Sequence, residues 1–387
     1  MAKKYRADQI GSFLRPQEIR DAHTANVKGE LSTEELRKIE DAHISRLLEM
    51  QKQTGIDVYS DGEWRRGGWA GGFAEAMAEG YVSGRPDIVL TGNSNPIANR
   101  LGTGATANQG PAGQGQGGPG GRVIGAKLVP ARRITGHESG FIKEHAPGPF
   151  KITMPAASYV ASRAYSREAS DPVFGDRKGL LMAVAEIVRG EVKALIDEGV
   201  PYIQLDNPHY TDYVSDDICD SYRAIGIDPM QALADDVEAD NYTFQGLPGR
   251  ENVIIGMHYC RGNTGGGGWH KAGGYDRVAE LSFGGLDVDN FLLEYDTDRA
   301  GTFEPLRFMP KGKTVVLGLI TTKFPELESQ DDVIRRINDA ARFVDLDDCT
   351  LSPQCGFAST FQGNSLTEDE QRAKLELVVS TARKVWG

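Results

Sequence analysis

Val253-Ile-Ile-Gly-Met-His-Tyr-Cys260 reads as a buried strand whose end carries two side chains able to bind a metal. The run is apolar and short, as strands covered on both faces of a parallel sheet are. Seven further runs share this character, at residues 9–13, 58–61, 150–154, 202–206, 291–295, 314–320 and 350–352. Helical patterns lie between them. Ser32-Thr-Glu-Glu35 is a capping box leading into 36–53, and Thr367-Glu-Asp-Glu370 opens a last helix that runs to Trp386. Residues 176–198 and 329–344 carry apolar side chains at helical spacing.

Eight strand–helix units predict an α/β fold, a (β/α)8 TIM barrel spanning residues 1–387, with its site at the carboxyl ends of the strands. A doubly wound open sheet is the alternative. Residues 122–128 are a ninth strand candidate, assigned to an accessory hairpin within an insertion at 67–149 that follows the second strand. That insertion contains a Gly-rich stretch, 102–121, without apolar bulk to pack a core. It reads as a tolerated flexible insertion or as a lid, and it lacks the Lys-Ser or Lys-Thr ending of a phosphate-binding loop. A second glycine run, 262–268, directly follows Cys260 and is expected to cover substrate.

The 387 residues are 39% apolar and 25% charged, with a formal net charge of -12. That charge argues against nucleic acid or a lipid surface as partner. No run of about 18 apolar residues and no leader pattern is found, so a cytoplasmic enzyme is expected, its homo-oligomeric state left open. Of four cysteines, Cys219 and Cys349 read as structural, whereas Cys260 and Cys355 stand at strand ends, and all four are expected to stay reduced.

His258 and Cys260, two residues apart, would share one face of a strand. Glu294 ends the run Phe291-Leu-Leu-Glu294, where an unpaired buried carboxylate would be costly. Cys355 follows the last strand on a turn. Two thiolates, an imidazole and a carboxylate form a ligand set suited to Zn2+. The competing reading makes each residue separately structural. Glu63 and Asp206 also end strands, where substrate contacts collect in a barrel. Their bland alternatives are a salt bridge with Arg65 or Arg66 and a helix cap. His209 is either an acid for the leaving group or a capping surface histidine.

Together these segments resemble the carboxyl-terminal catalytic domain of cobalamin-independent methionine synthase, and specifically its shorter, methionine synthase II-like single-barrel members. The resemblance runs from Ile10-Gly-Ser-Phe13 to Val385-Trp-Gly387 and is weakest between Gly67 and Phe150. It implies zinc bound by His258, Cys260, Glu294 and Cys355. It further implies that Ile10, Gly11 and Ser12 hold the homocysteine carboxylate while Glu63 and Asp206 hold its amino group. Zinc would keep the thiol ionised for attack on an alkyl donor, with positioning supplying much of the remaining rate.

Two features depart from the family. The Cys260-to-Glu294 spacing is longer, and no second, folate-holding barrel is read in these residues. The expected partners are a small-molecule thiol and an alkyl donor, a methylfolate or a methyl-corrinoid. The runner-up is an epoxyalkane:coenzyme M transferase-like enzyme, whose sulfonate would need cations such as Arg65, Arg66 and Lys323. A non-catalytic zinc-stabilised thiol-binding protein is the alternative of another class.

Overall fold

A computed structural model of the protein describes residues 4–88, 121–263 and 268–387. The Gly-rich stretch expected at 102–121 lies outside the described residues except for Gly121, as do residues 264–267 of the second glycine run. Strands β1 (Met77–Ser83) and β2 (Arg122–Pro130) pair antiparallel, with Tyr81 opposite Ile124 and Val82 opposite Val123. Six strands then form one parallel sheet in chain order. They are β3 (Lys151–Pro155), β4 (Tyr202–Asp206), β5 (Ile254–Tyr259), β6 (Asn290–Glu294), β7 (Thr314–Ile320) and β8 (Cys349–Pro353). Every residue of these six strands is buried, which explains their near-continuous apolar runs.

The expected helices form with their caps. Ser32 and Glu35 cap Thr33–Thr54 reciprocally, and Thr367 and Glu370 do the same for Glu368–Trp386. Asp176 caps Arg177–Asp197, and Ser329 caps Gln330–Ala340. The last of these ends before the expected residue 344, closing through turn hydrogen bonds from Phe343 N and Val344 N to Ala340 O.

The runs at 9–13 and 58–61 do not form regular strands. They contribute isolated parallel bridges, Ala7 to Leu351, Ser12 to Gly62 and Tyr59 to Phe150. Several of their backbone groups are met by side chains instead of ladder partners. Gly11 N donates to Gln9 Oε1, Ser60 Oγ donates to Gly11 O at 2.6 Å, and Ser60 N donates to Gln51 Oε1 at 3.0 Å. Pairs of backbone bonds still tie both segments to the sheet: Asp8 N to Leu351 O at 2.9 Å and Leu351 N to Arg6 O at 3.0 Å on the β8 side, and Tyr59 N to Pro149 O and Lys151 N to Tyr59 O, both at 2.8 Å, on the β3 side. Asp57 N to Ala7 O, at 3.0 Å, joins the two segments to each other.

Register gathers the strand ends. Asp206 lies opposite His258, and Glu294 opposite Gly318. Chemically distinct side chains therefore emerge on one rim. Among the described residues no helix is long and apolar enough to cross a membrane.

Candidate active site

His258, on β5, and Cys260, just past it, come together with Cys355, two residues beyond β8. Their potential ligand atoms all lie within 4.8 Å of one another, and all three residues are buried. His258 Nδ1 is 3.2 Å from Leu292 O, and a carbonyl can only accept. A ring proton thus sits on Nδ1, and in the neutral ring the Nε2 lone pair is left for a ligand. That Nε2 is buried without a hydrogen-bond partner. Cys260 Sγ lies 3.5 Å from Cys355 Sγ and accepts from Gly262 N at 3.1 Å. Two sulfurs bound to one zinc at about 2.3 Å and near-tetrahedral angles stand roughly 3.8 Å apart, so the observed spacing fits that ion. The mutual hydrogen bond of the two cysteines pulls the Cys355 thiol well below its usual range despite burial, with help from His258, and pushes Cys260 well above.

Glu294 ends β6 beside this trio but is not grouped with it. Its Oε2 accepts from Arg261 N at 2.6 Å, while Oε1 meets Arg299 at 2.6 Å and Lys323 at 3.6 Å. Burial alone would raise its pKa, yet Lys323, Arg299 and Arg261 together hold it at about 2. The neighbouring cations thus keep this carboxylate as an anion turned to them.

The trio opens on a cavity of about 730 Å³, mouth included, also lined by Ile10, Ser12, Glu63 and Asp206. Glu63 Oε1 accepts from Thr153 Oγ1 at 2.8 Å, and Oε2 is buried without a partner. Among the described residues Glu63 is the one non-glycine with positive φ, at 59°, a conformation that an L side chain holds only when its surroundings enforce it. Its backbone is held at both ends, Glu63 N donating to Asp61 Oδ1 at 2.9 Å and Arg15 donating to Glu63 O at 2.9 Å. Burial raises the Glu63 pKa against the pull of Arg66. Asp206 is pushed up to about 7 by burial and by Glu63, with His258 opposing. Gly11 has φ +121°, and a Cβ there would lie 2.7 Å from Glu63 Oε1. Gly356 allows the closest approach of all: a Cβ would lie 1.9 Å from Ser12 Oγ. Gly11 itself does not line the cavity.

His209 is a correction to the sequence reading. It is neither on the surface nor on the cavity wall. Its Nδ1 meets Asp212 at 2.7 Å and its Nε2 meets Asp236 at 3.0 Å, fully buried. Burial drives its pKa down to about 4 although Asp236 opposes this. A ring with both nitrogens engaged behind the wall cannot reach a leaving group. The cations expected to meet a sulfonate are also committed elsewhere. Arg65 pairs with Glu40 at 3.2 Å, Arg66 with Glu138, and Lys323 with Asn263 and Glu294, and none of the three lines the cavity.

Sequence reasoning passed over Trp69, Tyr159, Arg163 and Lys271, which line the same cavity. Arg163 pairs with Asp212 at 2.6 Å, and Lys271 Nζ donates to Pro208 O at 3.0 Å. Lys271 follows the glycine run, a position that could have marked it; Arg163 sits inside the helix Ala157–Ala164 with no such signal.

Residues 6–101 and 274–384 match the family described as "Cobalamin-independent synthase, Catalytic domain". The chain belongs to that family. As a cobalamin-independent synthase relative it is a methyltransferase enzyme, which removes the non-catalytic alternative. The uncharacterized protein YxjH of Bacillus subtilis is 37% identical over 99% of this chain and 95% of its own length. A Listeria monocytogenes protein provisionally described as a vitamin-B12 independent methionine synthase superposes with a TM-score of 0.74 at 29% identity, covering 100% of this chain and 99% of its own. A B12-independent methionine synthase from Shewanella, solved with selenomethionine, shares the fold at a TM-score of 0.71 and 20% identity, covering 99% and 98%.

Proposed function

We propose that this protein is a zinc-dependent thiol S-methyltransferase that methylates homocysteine to methionine, using a methylfolate or methyl-corrinoid donor. The observation that carries the reading is the cavity itself. It sets a nitrogen–sulfur–sulfur donor group against two carboxylates and a serine, which are complements for a thiol, an ammonium and a carboxylate on one small molecule.

In this reading His258, Cys260 and Cys355 hold zinc, with Glu294 as fourth ligand once it leaves its cations. Bound zinc would supply the positive charge that keeps a substrate thiol ionised near neutral pH. Glu63, through its unpartnered Oε2, and Asp206 accept the substrate ammonium. The turn at Ile10, Gly11 and Ser12 receives the carboxylate. The substrate sulfur forms the new bond to the methyl carbon as the donor's bond to that carbon breaks, and the electron pair leaves with the donor. Burial of the wall raises the worth of each of these contacts, because a low dielectric strengthens them.

We further propose that the six-stranded sheet and the two bridged segments close as a (β/α)8 barrel, one unit over 1–387, with the β1–β2 pair as an accessory hairpin in 67–149. The paired backbone bonds on both sheet edges support this.

Calorimetric titration of zinc-loaded protein with L-homocysteine and, separately, coenzyme M tests the function. Saturable homocysteine binding, lost in Cys260→Ser, is expected. Coenzyme M binding with homocysteine silent would remove the homocysteine reading. Glu294→Gln should lower zinc content; unchanged content and thiol affinity would take Glu294 out of the ligand set.

A further inference from the structure

Behind the cavity floor runs a chain of polar side chains that the reaction does not require directly. Lys151, on β3, is fully buried and pairs with Asp8 at 2.6 Å. Its Nζ also donates to Gln204 Oε1 at 2.9 Å. An ammonium has only donors, so this contact fixes which end of the Gln204 amide is oxygen. The amide nitrogen is thereby aimed the other way. It donates to Asp206 Oδ1 at 2.7 Å and to Ile10 O at 2.8 Å, and Gln204 has no exposed surface.

These contacts join the two halves of the pocket. Asp206 belongs to the arm assigned to the substrate ammonium, and Ile10 opens the turn assigned to its carboxylate. One buried amide holds both. We propose that Gln204, oriented by Lys151, is a positioning residue that sets the spacing between the ammonium and carboxylate contacts of the amino-acid substrate. The inference rests on the homocysteine reading above. A second consequence concerns Asp206 itself: with Oδ1 tied down by Gln204, its other oxygen remains for the ligand.

The role is specific to substrate binding. Gln204 makes its side-chain hydrogen bonds to Lys151, Ile10 and Asp206 and none to His258, Cys260 or Cys355, so metal retention should not depend on it. Loss of a hydrogen bond to a charged partner weakens an interaction by about 10- to 100-fold. Gln204→Met should therefore raise the homocysteine Kd and KM about 10-fold or more, with zinc content unchanged and kcat at saturation within about threefold.

The test is calorimetry of the zinc-loaded full-length protein with L-homocysteine, comparing wild type, Gln204→Met, Gln204→Glu, Asp206→Asn and the Gln204→Met/Asp206→Asn pair. If Gln204 acts through Asp206, its substitution costs little once Asp206 is already Asn, because coupled residues are not additive. Gln204→Glu keeps the shape and the Lys151 contact but faces Asp206 with an acceptor, so it should bind homocysteine more weakly still. Wild-type binding with unchanged affinity in folded Gln204→Met, or full additivity in the double variant, would overturn the proposal. Absence of homocysteine binding in the wild type would strike the function reading instead. Should Gln204→Met not fold, Gln204→Glu and Lys151→Arg supply the same comparison.

Discussion

Two buried histidines, His258 and His209, stand at the ends of adjacent strands and have opposite surroundings. His258 spends one nitrogen on Leu292 O and leaves Nε2 without a partner, next to two sulfurs and a cavity. His209 has both nitrogens engaged: the neutral ring donates from Nδ1 to Asp212 at 2.7 Å and accepts at Nε2 from the Tyr222 hydroxyl at 3.2 Å, within a cluster that also contains Asp236 and Arg177, which lies against it. Burying a polar atom without a partner is costly, and native interiors seldom tolerate it. An orphan atom on a cavity wall therefore marks a place built for a ligand, whereas a saturated ring marks a place built for stability. Residue type and burial are the same in both; only the accounting of partners separates them.

The largest effect expected from this contrast is on metal. Cys355→Ser should lower zinc affinity at least about 100-fold, since a hard hydroxyl replaces a thiolate ligand. Competition with a chromogenic chelator would read this, and retention of stoichiometric zinc at wild-type affinity would place Cys355 outside the site. The His209 cluster should respond in stability instead. Asp236→Asn strips the buried Arg177 of its carboxylate and should cost about 3–5 kcal/mol in a denaturant titration, with zinc content unaffected. A variant of wild-type stability would mean that the cluster contributes nothing.

The pH response sharpens the same contrast. His209 has an ordinary pKa near 6.5 when unfolded and is held to about 4 in the fold, chiefly by burial. On acidification the unfolded chain takes up this proton first. The stability that neutral His209 contributes is whole above about pH 6.5 and is lost as pH falls towards 4, by up to about 3 kcal/mol. In His209→Asn this part of the slope of stability against pH should disappear, and an identical slope in both proteins would count against the assignment. The smallest effect belongs to Cys219, buried on the helix Asp216–Ala224 with its thiol towards Tyr213 O at 3.4 Å. Cys219→Ser should leave zinc content intact and change stability by no more than about 1–2 kcal/mol.

Legibility varied along the chain for physical reasons. Strands β3 to β8 were visible as apolar runs because both of their faces are buried. The amino-terminal runs were overread as strands. Gln9, Ser60 and Gln51 replace ladder bonds with side-chain bonds there, and no periodicity announces that. Glu63 and Asp206, which line the cavity, were legible as candidates because acids stand out at the ends of apolar runs. Arg163 was missed because a lone cation within a helix usually faces solvent.

The order of apolar runs, the two capping boxes and the donor types at strand ends were determined by the sequence alone, since each rests on local periodicity or local chemistry. Which side chains meet was decided only by tertiary structure. His258 and Cys355 lie 97 positions apart in the sequence, and strand register and order brought them within ligand distance. The same packing committed Glu294 to its cations and shut His209 behind the wall. Hydrogen bonding and charge compensation in a low-dielectric interior depend on neighbours in space, and a linear pattern does not contain them.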